Sequence, residues 1–248
     1  MKRLTGKIAL LAAVLPLAFS CSDKESAAGF ISFSVQADEL VTDQTRSNVS
    51  DYVTSLPSQG EFTIVITNSK DEEVYNGLLS AYQTSTSLPS GNYSVTATYG
   101  SATDEGFDKP FFTGTQSFAV TGGNTTSVTV NVKLGNALVK VGCTENFSKY
   151  YTDYTMTLTT GNGTTLSFPK GETRAAFIDA YTLEVSGVLT SQGGTQMTFS
   201  KSYSNGSISP ATCYTLLFDA SNVGGTTITI SFNDSVEDVE LGTIELND

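Results

Sequence analysis

Hydrophobic and polar residues alternate with period two along most of this chain. Thr126 to Val132 puts Val128, Val130 and Val132 on one side and Ser127, Thr129 and Asn131 on the other. Tyr154, Met156 and Leu158 alternate with Thr155, Thr157 and Thr159, and Ile228, Ile230 and Phe232 with Thr229 and Ser231. Alternation with threonine on the wet side predicts half-buried β-strands. Turn signals separate the runs: Gly122-Gly123-Asn124, Gly161-Asn162-Gly163, Gly193-Gly194, Asn205-Gly206 and Gly224-Gly225. No segment carries a convincing amphipathic helical stripe. Many short strands at this spacing predict an all-β chain of the sandwich type.

The strands fall into two similar sets. Glu61 to Thr67 is followed by a turn, then Glu73-Val74-Tyr75, then Leu88 to Thr96. Asp153 to Thr159 is followed by a glycine-rich turn, then Leu166-Ser167-Phe168, then Ile178 to Val185. Phe62 and Tyr93 are 31 residues apart, Tyr154 and Tyr181 are 27. We read this as a duplication rather than the general likeness of all-β sequences. The expected plan is two tandem β-sandwiches, residues 30–134 and 135–248, joined near Leu134-Gly135-Asn136. Residues 43–60, rich in Ser, Thr and Asn, form a loop after the first strand.

The N-terminus follows a different pattern. Lys2, Arg3 and Lys7 precede an apolar run from Ile8 to Phe19, then Ser20 and Cys21. This is the layout of a secretory signal. A membrane-spanning helix needs about 20 apolar residues, and this run is shorter and holds Pro16. The leader resembles that of bacterial lipoproteins, in which the cysteine is acylated and becomes the first mature residue. Leu17 lies one position further from Cys21 than in the commonest form, as in Bacteroidetes lipoproteins. On this reading residues 1–20 are the leader, Cys21 is the lipidation site and residues 21–29 are a tether. Ser22-Asp23-Lys24-Glu25 resembles the export signal that sends such lipoproteins to the cell surface; otherwise it is a solvated linker. The implied location is the outer membrane, facing outward.

Charge and composition narrow the function. The leader holds three of the 13 basic residues and none of the 25 acidic ones, so ten face 25 in the mature chain, a net charge of −15. Such a chain is repelled by nucleic acid, and its membrane affinity must come from lipid. With no histidine in the sequence, Ser-His-Asp and Cys-His catalysis and the usual zinc sites are ruled out. Tryptophan, the commonest sugar-stacking residue, is missing too, leaving 11 tyrosines and 14 phenylalanines for packing or stacking. No pair of carboxylates stands in a recognisable hydrolase motif. The expectation is therefore a protein that is not an enzyme and uses no cofactor or metal.

Five further features are candidate sites. Cys143 and Cys213 either form a bridge closing 70 residues, worth roughly 4 kcal/mol by chain entropy, or remain two buried thiols. Phe147, Tyr150, Tyr151 and Tyr154 cap a core as a strand lead-in, or Tyr150 and Tyr151 stack on a sugar or aromatic partner. Asp104 and Asp108 flank Gly106 in a loop that lacks calcium-loop spacing and reads as an acidic surface loop. Asp234-Ser235-Val236 matches the short O-glycosylation pattern of Bacteroidetes secreted proteins, which makes Ser235 a candidate acceptor. Thr45-Arg46-Ser47 lies in the loop after the first strand.

Two resemblances complete the reading. Leu88-Pro89-Ser90-Gly91-Asn92-Tyr93-Ser94-Val95 resembles the signature of transthyretin-like sandwiches, with Gly91 admitting the turn and Tyr93 and Val95 facing the core. More widely, the chain is similar to the Bacteroidetes surface lipoproteins of domain of unknown function 4493. The matching pieces are Gly29 to Val35, Pro110 to Gly114, Phe118 to Val120 with the following valine strand, Lys133 to Val141, and Phe147 to Tyr154. These are packing and turn motifs, and that family brings no assigned activity. A broader similarity is to fimbrillin-type pilus subunits and their anchors, in which an Arg-specific protease cuts after the first strand and a neighbouring subunit fills the groove. That likeness makes Arg46 a candidate processing site; otherwise it is an exposed loop residue. The implied function is a lipid-anchored structural or adhesive surface module, partnered by the membrane and by other surface or pilus subunits. The alternative is a glycan-binding accessory lipoprotein of a polysaccharide-uptake system.

Overall fold

The computed structural model describes residues 27–42, 47–220, 227–232 and 235–243. The leader, Cys21 and Arg46 lie outside these residues, and of Ser235 only the backbone is described. The first half runs β1 (Ala28–Asp38), β2 (Leu40–Val41), β3 (Ser47–Asn48), β4 (Thr63–Asn68), β5 (Glu73–Leu78), β6 (Ser87–Pro89), β7 (Gly91–Tyr99), β8 (Gly106–Phe107), β9 (Phe112–Val120) and β10 (Thr125–Leu134). The second runs β11 (Ala137–Cys143), α1 (Glu145–Tyr150), β12 (Tyr151–Thr160), β13 (Thr165–Pro169), β14 (Ala176–Ile178), β15 (Leu183–Ser191), β16 (Gln196–Tyr203), β17 (Cys213–Ala220), β18 (Thr227–Phe232), β19 (Ser235–Glu240) and β20 (Gly242–Thr243). The protein is all-β, and the three alternating runs are β10, β12 and β18, with their apolar sides buried. The helix α1 departs from the expected strand lead-in. Its N-terminus is capped where Phe147 N donates to Thr144 Oγ1 at 3.0 Å.

The first half is a seven-stranded sheet in the order β5-β4-β7-β9-β10-β1-β6. It bends sharply at β9 and β10, which pair only at Thr113–Lys133 and Phe112–Leu134. The bend turns one sheet into two layers around a single core. Ile64, Ile66, Val95, Ala97 and Phe112 come from one arm, and Ile31, Val35, Val128, Val130 and Val132 from the other. β1 lies parallel to β10, so Phe33 meets Val128 and Val35 meets Val130 on the inner face while Ser34 and Thr129 meet outside. The bend also drives Gly114 onto the opposing backbone. A Cβ there would sit 2.1 Å from the Asn131 carbonyl oxygen, so no side chain fits.

The second half holds a five-stranded sheet, β13-β12-β15-β16-β20, facing a six-stranded sheet, β19-β18-β17-β11-β14-β8. Met156, Leu158, Phe168, Val185 and Leu189 pack from the first against Val139, Ile178, Leu216, Phe218 and Ile230 from the second. The halves share one strand plan. The run β5-β4-β7-β9 recurs as β13-β12-β15-β16, and β1, parallel to β10 and antiparallel to β6, recurs as β11, parallel to β17 and antiparallel to β14. The segments paired by sequence occupy matching strands. Alanine at Gly114 should open the bend by overpacking and destabilise the protein by about 3 kcal/mol. Urea unfolding of Gly114→Ala measures this, and an unchanged midpoint would contradict the close approach.

Candidate functional site

The two halves interlock rather than merely follow one another. β8 belongs to the first half by sequence but pairs with β14 of the second, Gly106 opposite Phe177 and Phe107 opposite Ala176. Thr42 forms a parallel bridge to Thr212, its N–H donating to Ala211 O and its carbonyl accepting from Cys213 N, both at 2.8 Å. Around β8, Glu105 is buried. Its Oε2 accepts from Thr160 Oγ1 at 2.6 Å and its Oε1 from the Asp179 N–H at 2.7 Å. Asn136, 1% exposed, accepts from Phe111 N and donates to Lys109 O. A buried polar group demands such partners.

A cleft of about 450 Å³ opens beside this junction, lined in part by Tyr52, Phe107, Asp108, Lys140 and Arg174. Asp108 holds a left-handed backbone, φ 60°, and its carboxylate accepts from both the N–H and the hydroxyl of Thr54 at 2.8 Å. The Thr54 N–H first, then its hydroxyl, holds the Asp108 carboxyl below the usual range. Arg174 stacks 4.2 Å over the Phe107 ring and forks onto Glu172, whose pKa that side chain lowers to about 2. The cleft's charges are thus already matched within the protein, and its walls are braced.

The structure distributes the predicted site residues unevenly. Asp104 and Asp108 are committed to Lys109 and Thr54, and no cluster that could hold a metal occurs among the described residues. Cys143 and Cys213 do not form a disulfide, which corrects the bridged alternative. On parallel strands Cys143 is opposite Phe218 and Cys213 opposite Leu138, five positions apart, or about 16 Å. They also serve different cores, Cys213 the first and Cys143 the second. Tyr150 and Tyr151 do not form a stacking platform. Tyr151 is buried with its ring centroid 4.6 Å from that of Phe147, and Tyr150 packs half-buried on the same core. The reason is α1, which turns this aromatic cluster inward as a lid. Tyr154 packs there too, and burial raises its pKa to about 12.

Sequence reasoning missed Glu105, Asn136 and β8. A signal was available: Ala137-Leu138-Val139 and Ala175-Ala176-Phe177-Ile178 break the alternation with unbroken apolar runs, as strands buried on both faces do. Leu138, Ala175 and Phe177 point into the first core, their neighbours into the second.

The structure also leaves strand edges open. β1 is paired along Phe30 to Asp38 with β10, but β6 covers only Ala28 to Phe30 on the other side. From Ile31 to Asp38 that outer edge has no strand partner among the described residues. β5 is a second edge, with Val74 and Leu78 exposed. No helix among the described residues is long and apolar enough to cross a membrane.

The geometry defines an all-β protein with an interlocked pair of sheet assemblies and unpaired strand edges. It belongs to the family Domain of unknown function (DUF4493), whose model matches residues 27–247. Solved structures similar to it include a fimbrial assembly protein from Parabacteroides distasonis, 11% identical, spanning 85% of this chain and 98% of that one with a TM-score of 0.49. Another, from Bacteroides thetaiotaomicron, is described as “putative polysaccharide binding proteins”, at 13% identity, 86% and 98% coverage and a TM-score of 0.46. A third, a “putative cell adhesion protein” from Bacteroides ovatus, is 11% identical over 90% of this chain and 100% of that one, with a TM-score of 0.44. No curated protein matches the sequence.

Two outcomes follow from the junction. Glu105→Ala strips the acceptors from Thr160 and Asp179 and should cost about 2–3 kcal/mol, read by urea unfolding, while Glu105→Gln keeps one acceptor and should cost less. The second outcome concerns acid. Asp108 and Glu172 have lowered pKa values when folded. Both bind protons more readily unfolded, so their ties stabilise the protein above about pH 4 and fade as pH falls toward 2. Asp108→Asn should flatten that decline in a series of unfolding midpoints, modestly because these groups are exposed.

Proposed function

We propose that this chain is a non-enzymatic, lipid-anchored module of the outer cell surface, with a structural or adhesive role. The two halves act as tandem sandwiches, and Cys21 is the anchor. One observation carries the reading: the unpaired edge of β1 from Ile31 to Asp38, eight residues of backbone aligned on a rigid sheet. Open edges of this length are templates for strand addition by a partner chain. An acidic chain gains from this mode of contact, because backbone hydrogen bonds need no charge complementarity.

Surface proteolysis of intact cells should cleave the wild-type protein, and Cys21→Ser should release it from the membrane fraction. Light scattering and unboiled gels of the purified chain should show higher species. Ser34→Lys with Gln36→Lys places two like charges on the outer face beside this edge and should abolish them. A monomeric wild type with no partner recovered from the surface would defeat the edge-pairing role. Monomers that are still retained on polysaccharide would favour the glycan-binding alternative.

A further inference from the structure

The duplication extends from the strands to the cavities they frame. Asn68, Tyr93 and Phe118 form one register row across β4, β7 and β9. Thr160, Leu183 and Tyr203 form the equivalent row across β12, β15 and β16. A cavity opens on each row, about 440 Å³ in the first half and about 450 Å³ in the second. The adjoining rows match too: Thr67, Ser94 and Ser117 line one cavity, Thr159, Glu184 and Ser202 the other.

The linings share a chemistry as well as a position. Each carries one carboxylate, Asp71 or Glu184, and neither carries a lysine or arginine. Each has an aromatic ring from its third strand, Phe118 or Tyr203. Asp71 is held in a left-handed conformation, φ 60°. The turn that holds it is built by Asn68, whose Oδ1 accepts from the N–H groups of Lys70 and Glu72. The Asn68 side chain thus meets the turn's needs, and the Asp71 carboxylate is presented to the cavity. Glu184 accepts from Ser200 through Oε1 at 2.8 Å, which orients its second oxygen.

We infer that these two cavities are equivalent binding sites for neutral saccharide units. An anionic ligand would find no cation there and would meet the field of a strongly acidic chain. A wholly apolar ligand would strand the hydroxyls and the carboxylate. A sugar matches both requirements, with C–H faces for the ring and paired hydroxyls for the carboxylate and serines. The volumes fall within the roughly 300–1,000 Å³ typical of small-molecule sites. Two such sites on one interlocked body let a repeating polysaccharide engage both, which multiplies affinity. The inference rests on the surface-module reading and names the ligand class for it.

The test uses the full chain in mild detergent. Calorimetry with maltotriose, cellotriose, mannotriose and a galactotriose measures stoichiometry, and affinity electrophoresis in gels containing the parent polysaccharides measures avidity, with polygalacturonate as the acidic control. One neutral series should bind at two sites per chain. Ser117→Trp and Ser202→Trp each fill one cavity from a solvent-facing strand position, so each should leave one site and weaken polysaccharide retardation roughly tenfold. Asp71→Ala and Glu184→Ala remove the carboxylates without added bulk and should repeat the loss, with thermal melts showing that all four variants fold. No binding by any neutral series, preference for polygalacturonate, or an unchanged stoichiometry in both cavity-filling variants overturns the assignment. If saccharide binding fails while the chain still associates through β1, this assignment falls and the surface-module reading stands. If both cavities bind sugar but the chain is neither exposed on cells nor self-associating, it is the surface-module reading that fails.

Discussion

Leu138 and Phe177 face away from the core of their own half, and Cys213 joins them at the start of β17. These side chains need a cover that the second half cannot supply. The first half supplies it, and most of the molecule's organisation follows from that requirement. Burial at roughly 1.5–3 kcal/mol per large side chain makes this shared apolar surface the largest favourable term at the junction. It is non-directional, so the register must come from elsewhere. Glu105, Asn136 and the β8–β14 pair provide it, fixing the junction through donors and acceptors that only one alignment satisfies. Apolar burial holds the halves together, and the buried polar groups set how they meet.

The duplicated strand plan explains why the halves differ where they do. In the first half the bend at β9 and β10 closes the sandwich along one side, and Gly114 makes that closure possible. The second half has no such bend. Its two sheets stay separate, with β20 added to one and the β18–β19 pair to the other. At the opposite edge, β14 is covered by β8, a short strand donated by the first half. The equivalent strand of the first half, β6, has no such cover among the described residues. The same plan therefore yields one half whose edge is protected within the chain and one whose edge is offered outward.

Much of this architecture is legible in the sequence, because strands with one wet face must alternate. β10, β12 and β18 read directly, and Tyr93 and Val95 face the core as the Gly91 turn implies. The parts that were not legible depend on long-range geometry. β8 is two residues long, too short to show a period. Glu105 looks like any loop carboxylate until Thr160 and Asp179 are brought to it. The cysteines share a pair of adjacent strands, yet five positions of register and opposite core assignments part them. Tyr151 was misplaced by a local effect, because Thr144 caps a short helix that no apolar stripe announces. The cavity pair was hidden for a further reason. Its lining residues are serines, threonines and asparagine on strand ends, which read in sequence as ordinary wet faces.

The net charge ties these features together. Ion pairs are few among the described residues, Lys109 with Asp104 and Arg174 with Glu172, and both are exposed. Stability therefore rests on the two cores and the backbone ladders, while the excess of carboxylates is left on the surface. Such a surface keeps copies apart and discourages unspecific contact. A partner that binds must do so through groups indifferent to that field. The structure offers two kinds: the unpaired backbone of β1, which accepts another strand whatever its sequence, and hydroxyl-lined hollows suited to an uncharged ligand. The strong negative charge therefore acts as a filter. It leaves backbone pairing and neutral recognition as the modes of contact the protein can use.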